Sequence, residues 1–135
     1  MVLRFVPRVL GVLLCCLAIL VTGCSSGGGG EAESSASAPA WARGMATVPV
    51  DRLPAEARRT LRLIDDGGPF PYEKDGSVFS NFERELPRRE RGYYREYTVR
   101  TPGERDRGAR RIVTGSGGET YYTDDHYTSF KAVLR

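Results

Sequence analysis

Apolar residues follow three different patterns along the chain. They form an almost continuous run at residues 9–21, recur at helical spacing at residues 53–66, and alternate with polar residues in short segments after residue 94. Between the first two patterns lies a stretch rich in glycine, serine and alanine that shows neither kind of spacing. The patterns therefore predict a single folded region in the C-terminal part of the chain.

The helical spacing predicts one helix of about three turns. Pro54 is tolerated in the first turn because the backbone N–H groups there have no acceptor within the helix, so the missing N–H of proline costs no hydrogen bond. Ala57, Leu61 and Ile64 then recur on one face, with arginines on the other. The Gly-Gly-Pro sequence at residues 67–69 should end the helix, since glycine accepts the left-handed cap and proline cannot continue.

Short alternating runs after the helix predict strands at residues 94–100, 110–114, 120–123 and 129–134, and a further extended piece at 77–82. Turn residues separate these runs, so the connections are short and the strands should be antiparallel. We expect an α+β domain, in which one N-terminal helix packs on a twisted antiparallel sheet of about four to five strands. The opposite sheet face would stay open to a ligand.

The N-terminal part has the features of an export signal. Arg4 and Arg8 precede the apolar run, which is too short to span a bilayer comfortably. The run ends in Val21-Thr22-Gly23-Cys24, which resembles a bacterial lipobox, where cleavage before the cysteine leaves that cysteine lipidated. An ordinary secretory signal or an uncleaved anchor is the alternative interpretation.

Three regions follow from these patterns: a lipoprotein-type signal peptide at 1–23, a flexible tether at 24–50 and a folded domain at 51–135. Cys24 would anchor the exported chain to the outer face of the cytoplasmic membrane, and without the anchor the domain would be extracellular. All three cysteines lie in the signal or at its edge, so the folded domain cannot form an internal disulfide.

Positive charge is concentrated in one part of the chain. The formal net charge is only +3. Residues 84–111, however, hold ten arginines against five acidic residues, which gives a local charge of +5. Such a cluster suits an anionic ligand. A solvated charged face would have the same composition.

Glu96, His126 and the arginines between them supply the groups needed to cleave RNA without a metal or other cofactor. A carboxylate can remove the ribose 2′-hydroxyl proton, a protonated histidine can protonate the leaving 5′-oxygen, and arginines can neutralise the phosphorane-like charge. Strand alternation places Glu96 on the open sheet face. Taken singly, Glu96 could be a strand carboxylate paired with an arginine and His126 a surface residue. Their combination favours catalysis.

These motifs resemble those of the microbial guanyl-specific ribonucleases, the family of barnase and of the small secreted actinobacterial ribonucleases. The resemblance covers residues 53–134 and rests on ordered segments at 68–72, 78–83, 93–99, 107–112 and 121–127. It implies the microbial ribonuclease fold and cleavage of single-stranded RNA on the 3′ side of guanosine through a 2′,3′-cyclic phosphate. It also implies a monomer in which Glu96 is the general base, His126 the general acid, and Arg107 and Arg111 the phosphate-stabilising pair.

Residues 78–83 resemble the guanine-binding loop of that family. Glu83 would accept from guanine N1–H and the exocyclic amine, and backbone N–H groups near Asn81 would donate to O6. Phe79 and Ser80 belong to the same loop. Tyr127 would stack on a base or lie against the phosphate, and a purely structural place in the core is the alternative.

Three features depart from the family pattern. Phe82 stands where relatives commonly have arginine, which bears on substrate affinity and on binding of a barstar-like inhibitor. The domain lacks the disulfide that often joins the termini of actinobacterial relatives, and a lipobox is unusual in a freely secreted family. Two other functions fit the residues: a non-catalytic surface module that binds RNA or another polyanion, and a ribonuclease toxin domain delivered to competitor cells.

Overall fold

The structure is a computed structural model that describes residues 38–135. It contains one helix, α1 (Ala55–Asp66), and six strands: β1 (Ala46–Pro49), β2 (Ser77–Phe79), β3 (Tyr94–Thr98), β4 (Arg111–Gly115), β5 (Thr120–Thr123) and β6 (Lys131–Leu134). Two short 3-10 turns, Ala40–Ala42 and Val50–Arg52, flank β1. Within residues 38–135, no helix is long and apolar enough to cross a membrane.

The strands form one sheet in the order β1-β6-β5-β4-β3-β2. All neighbouring pairs are antiparallel except β1 and β6, which run parallel. The predicted α+β class is therefore confirmed, with one strand more than the upper prediction. The additional strand is β1, which lies in the range predicted to be tether. Its four residues include a proline and are mostly exposed, so no alternating pattern marks it.

Helix α1 packs on one face of the sheet. Gly67 caps it in the left-handed conformation, and the N–H of Gly68 reaches back to the carbonyl of Leu63 at 2.8 Å, which ends the helix where the sequence predicts. Its buried apolar residues, Ala57 and Leu61, belong to a cluster that also contains Leu53, Val99, Ile112, Tyr122 and Val133.

The opposite face is open only in part, which corrects the prediction of a fully open face. A second apolar cluster covers much of it and consists of Ala42, Leu86, Tyr94, Val113, Tyr121, Phe130 and Ala132. Trp41 packs edge-on against Tyr121 with ring centroids 5.4 Å apart. The cause is that this face of the strands also carries large apolar side chains, which the segment before β1 and the loop around Leu86 cover. The uncovered part lies around Glu96.

Candidate active site

Glu96 lies at the centre of β3, opposite Ser77 on β2 and Val113 on β4. Its side chain is 12% exposed, and both carboxylate oxygens accept hydrogen bonds from protein groups. Oε1 lies 3.1 Å from Nη2 of Arg107, and Oε2 lies 2.6 Å from the hydroxyl of Tyr127. The strand thus presents a carboxylate whose position is set by a cation and a phenol.

Arg107 reaches Glu96 from the loop between β3 and β4. Its Nε donates to Oγ1 of Thr98 at 3.0 Å, so two residues on the same face of β3 orient the guanidinium. The loop turns sharply at Gly108, where φ is +57° and a Cβ atom would come within 2.6 Å of Oγ1 of Thr101. Only glycine fits there without displacing the threonine.

Arg111 is almost fully buried at the start of β4. Its Nη1 donates to three carbonyl oxygens of the preceding loop, those of Arg107, Gly108 and Arg110, at 3.2, 2.9 and 2.7 Å. Its Nε lies 3.1 Å from the hydroxyl of Tyr127. Carbonyl dipoles therefore compensate the buried charge and hold the guanidinium beside the Glu96 and Tyr127 pair.

His126 and Tyr127 lie in the turn that follows β5, and both have left-handed backbone conformations, with φ of +56° and +71°. The N–H of His126 donates to the carbonyl of Ala109 at 3.1 Å. This bond ties the turn to residues 99–110, the loop between β3 and β4 that is called the arginine loop below. The exposed imidazole lies beside the Tyr127 ring with centroids 5.0 Å apart. The predicted acid is thus one residue from the phenol that contacts the predicted base.

Tyr127 links all parts of the site. Its hydroxyl donates to Glu96 and accepts from Arg111, and its ring stacks on Phe79 with centroids 5.1 Å apart. Burial raises the pKa of this phenol, the hydrogen bond to the Glu96 carboxylate adds to the effect, and Arg111 opposes it. Tyr127 therefore stays a neutral donor in the physiological range. Tyr127 thus both packs against an apolar cluster and contacts the predicted base and Arg111.

Asp125 builds the turn that carries His126 and Tyr127. It accepts hydrogen bonds from the side chain of Thr123 at 2.8 Å and from the backbone N–H and hydroxyl of Ser129 at 2.9 and 2.5 Å. The bonds from Ser129 are the main reason that the pKa of Asp125 falls to about 2. Sequence reasoning missed this positioning role, although an aspartate directly after a strand is a recognisable turn-forming signal.

A cavity of about 730 Å³ opens beside Glu96 and Tyr127. The predicted guanine-loop residues Phe79, Ser80, Asn81 and Glu83 all line it, together with the aromatic Phe130. Arg107, Arg111 and His126 do not line this cavity and lie instead around Glu96 and Tyr127, at one end of it. The structure thus places the guanine loop along a cavity that has Glu96 and Tyr127, with their arginine partners, at one end.

The side chain of Asn81 shapes the guanine loop and is fully engaged in doing so. Its Nδ2 donates to the carbonyl of Leu86 at 2.9 Å, and its Oδ1 accepts from the N–H of Leu86 at 3.1 Å. Asn81 has a φ of +51°, which asparagine tolerates better than most residues. Any contribution of Asn81 to a ligand therefore comes from the backbone.

Two further predictions concern the lipidation site and the metal ligands. Cys24 and the lipobox lie outside the described residues. Across residues 38–135, no group of three or more histidine, cysteine, aspartate or glutamate side chains is arranged to hold a metal ion.

Comparisons with known proteins find similar ribonucleases. A ribonuclease family model matches residues 35–134. Guanyl-specific ribonuclease St from Saccharopolyspora erythraea is 54% identical over 91 residues, which are 67% of this chain and 90% of that protein. Guanyl-specific ribonuclease Sa from Kitasatospora aureofaciens is 56% identical over 88 residues, which are 64% of this chain and 92% of that protein.

Solved structures of ribonuclease Sa2 are also similar. The complex with guanosine-2′-cyclophosphate matches with a TM-score of 0.64 at 50% identity, covering 67% of this chain and 96% of that one. The complex with 3′-GMP matches with a TM-score of 0.63 at 48% identity, covering 67% and 97%.

Proposed function

The chain belongs to the ribonuclease family and is an endoribonuclease, and from this premise we propose that it cleaves single-stranded RNA after guanosine without a metal. One observation carries the proposal. Glu96 is held by Arg107 and Tyr127 at the wall of a cavity that the guanine loop forms on its other sides. A polyanion-binding module would need the arginines but no carboxylate fixed at this point.

The first step is transphosphorylation. With guanosine in the cavity, Glu96 removes the proton from the ribose 2′-hydroxyl, and that oxygen attacks the neighbouring phosphorus. Arg107 and Arg111 donate N–H groups to the phosphoryl oxygens, whose charge grows in the transition state. Protonated His126 gives its proton to the departing 5′-oxygen, and a 2′,3′-cyclic phosphate remains.

The second step is hydrolysis with the two roles exchanged. Neutral His126 removes a proton from water, the water oxygen attacks the cyclic phosphate, and protonated Glu96 returns its proton to the 2′-oxygen. The product is a guanosine 3′-phosphate. The arginines make a divalent cation unnecessary, because planar guanidinium groups already present paired donors to phosphate oxygens.

The test is cleavage of defined dinucleotides by a protein that spans residues 38–135. We expect cleavage after guanosine to persist in EDTA and cleavage after the other three bases to be much slower. Glu96→Gln should lower kcat about 10²-fold or more, the range for a general base. Glu104→Gln, which changes an exposed carboxylate in the arginine loop, is the matched control. Loss of activity on chelation would contradict the mechanism.

Guanine preference is tested separately at Glu83. Glu83→Gln should weaken discrimination for guanine by about 1–3 kcal/mol, because one acceptor becomes a donor that faces guanine's own donors. Glu85→Gln, which alters a second carboxylate at the same cavity, is the control. An unchanged preference in the Glu83 variant would assign base recognition to backbone groups.

We also propose that the mature protein is exported and anchored through lipidated Cys24, on the strength of the lipobox-like Val21-Thr22-Gly23-Cys24. A thioether-linked diacylglycerol supplies two acyl chains, which suffice for stable anchoring where a single chain is marginal. Cys24→Ser should release the enzyme into the medium or block processing of the precursor. Wild-type protein found only in the medium, lipid-free and cleaved after Cys24, would contradict the anchor and leave the enzymology intact.

A further inference from the structure

Phe82 is an aromatic residue that makes no aromatic or cation–π contact within residues 38–135. Its relative exposure is 88%, although a large apolar side chain normally gains by burial. The loop that carries it is well defined. Asn81 and Arg84 both have positive φ, the N–H of Arg84 donates to the carbonyl of Asn81 at 3.0 Å, and Asn81 clamps Leu86. The turn therefore holds the phenyl ring out towards solvent.

A second groove, of about 340 Å³, lies on the other side of the guanine loop. It shares Phe79, Ser80, Asn81 and Phe82 with the large cavity, and its remaining lining residues are Arg89, Glu90, Arg91 and Tyr94. Neither Glu96 nor Tyr127 lines it. Phe82 thus lies between the large cavity and a smaller basic groove, and lines both.

The basic wall of this groove is supported from behind. The guanidinium of Arg89 lies 5.1 Å from the centroid of the Tyr93 ring and 4.0 Å from Oε1 of Glu119. Glu119 is almost fully buried and accepts a hydrogen bond from the Tyr93 hydroxyl at 2.7 Å. Arg91 adds a second, exposed cation, and Glu90 is the one acidic residue that lines the groove. A cation–π contact and a buried carboxylate thus keep one cation at the groove.

We propose that this groove binds the nucleotide on the 5′ side of the guanosine, with its base stacked on Phe82 and its phosphate near Arg89 and Arg91. Aromatic platforms beside basic grooves bind single-stranded RNA in this way, and the stacking tolerates any base. The proposal rests on the proposed function, which puts guanosine in the large cavity and the scissile phosphate beside Glu96. The 3′ nucleotide then lies at that charged end, so a chain that continues into the groove does so from the 5′ side.

The experiment measures binding by calorimetry and does not depend on turnover. The two probes are 2′-deoxyguanosine 3′-phosphate and the same nucleotide extended on its 5′ side by 2′-deoxyadenosine, and neither has a 2′-hydroxyl that could attack a phosphate. For the wild-type protein, the extension should tighten the Kd by at least about fivefold, the lower end expected for one stacked base. Phe82→Ala should remove this gain and Phe82→Trp should keep it. Arg91→Gln should reduce the gain and its sensitivity to salt.

Val78→Ala is the matched control, because Val78 is an exposed apolar residue of the same loop that lines only the large cavity. It should leave the gain from the extension unchanged. The change in Kd caused by an extension on the 3′ side should be the same in the wild-type protein and in Phe82→Ala.

Two results would overturn the proposal: no gain from the 5′ extension in the wild-type protein, or the same gain in Phe82→Ala. If that variant keeps the gain because both probes lose affinity equally, Phe82 covers the guanosine itself. Failure of dinucleotide cleavage would overturn the proposed function, whereas the comparison of the two probes would still decide whether this subsite exists.

Discussion

At the scale of single residues, the hydroxyl of Tyr127 connects the proposed base to Arg111, one of the two proposed phosphate-stabilising arginines. It donates to Glu96 at 2.6 Å and accepts from Arg111 at 3.1 Å. Because burial and the carboxylate both raise the pKa of this phenol, it remains protonated and keeps donating at neutral pH.

Tyr127→Phe should lower kcat by about 10- to 100-fold, the worth of a hydrogen bond to a charged group. The fold should survive, because the phenylalanine ring can still stack on Phe79. Steady-state kinetics with a guanosine dinucleotide measure the loss, and Tyr72→Phe, which removes the hydroxyl of a tyrosine that lines a different cavity from Glu96, is the control. Wild-type kcat in Tyr127→Phe would show that Glu96 needs no help from the phenol.

Asp125 gives a pH dependence whose sign can be worked out. Hydrogen bonds from Ser129 and Thr123 lower its pKa in the folded protein to about 2, from an ordinary value of 3.8. A carboxyl whose pKa is depressed by folding stabilises the fold above its unfolded pKa, and this contribution is lost as the pH falls through the folded pKa. The loss should therefore occur between about pH 4 and about pH 2.

Asp125→Asn should lower the Tm at neutral pH and flatten the decline of Tm between about pH 4 and about pH 2, because the titrating group is gone. Thermal unfolding followed by circular dichroism at several pH values tests this. Asp124→Asn, at the exposed neighbouring position, should retain the wild-type slope. The same decline of Tm between about pH 4 and about pH 2 in both variants would contradict the assignment of this decline to Asp125.

At the scale of elements, strands carry the proposed base and Arg111, whereas most of the other predicted site residues lie in irregular loops. Glu96 points towards the site because alternation along β3 requires it. In contrast, Arg107, His126 and Asn81 come from three loops that are held by side-chain and backbone hydrogen bonds. The hydrogen bonds within these loops therefore determine where Arg107, His126 and the guanine loop lie relative to Glu96.

Asn81→Ala should raise KM for guanosine dinucleotides by about tenfold, with a smaller change in kcat, because it removes two hydrogen bonds that hold the guanine loop. Alanine is also disfavoured at a φ of +51°. Asn81→Gly removes the same hydrogen bonds but accepts that φ, so it should fall between wild type and Asn81→Ala. A change confined to kcat in both variants would contradict a role in binding alone.

This difference between strands and loops explains what could be predicted from the sequence. The helix and five of the strands carry periodic apolar residues, and the structure confirms each of them. The face of Glu96 follows from the same periodicity. The turn at His126 and the burial of Arg111 depend on partners distant along the chain, such as the carbonyl of Ala109 and the hydroxyl of Tyr127. No local pattern encodes those contacts. The chemistry of the residue types suggests an acid at His126, and the family resemblance selects Arg111 among the many arginines.

At the scale of the whole molecule, the segment before the helix is part of the folded domain. Ala42 is 1% exposed and belongs to the apolar cluster on the face of Glu96, against which Trp41 and Met45 also pack. Val48 of β1 packs against the cluster on the helix face. One short segment therefore covers apolar residues on both sides of the sheet, although its own sequence is mostly small or polar.

A protein that begins at residue 51 should consequently be less stable than one that begins at residue 38. It loses strand β1 and uncovers Tyr121, Phe130 and Val133, and we expect the Tm to fall by about 10 °C or more. Trp41→Ala in the longer protein measures how much of the fall in Tm is due to the Trp41 side chain, and this variant should have an intermediate Tm. Equal Tm values for the two lengths would show that β1 contributes nothing to stability.

The parallel pairing of β1 with β6 also determines when the molecule can be finished during synthesis. Ala46 lies beside Lys131 and Pro49 beside Leu134, so the first strand waits for the last one to emerge from the ribosome. Contacts between such distant parts of a chain also form slowly. The complete sheet is therefore a late product of synthesis, although the strands that carry Glu96 and Arg111 precede β6 in the chain.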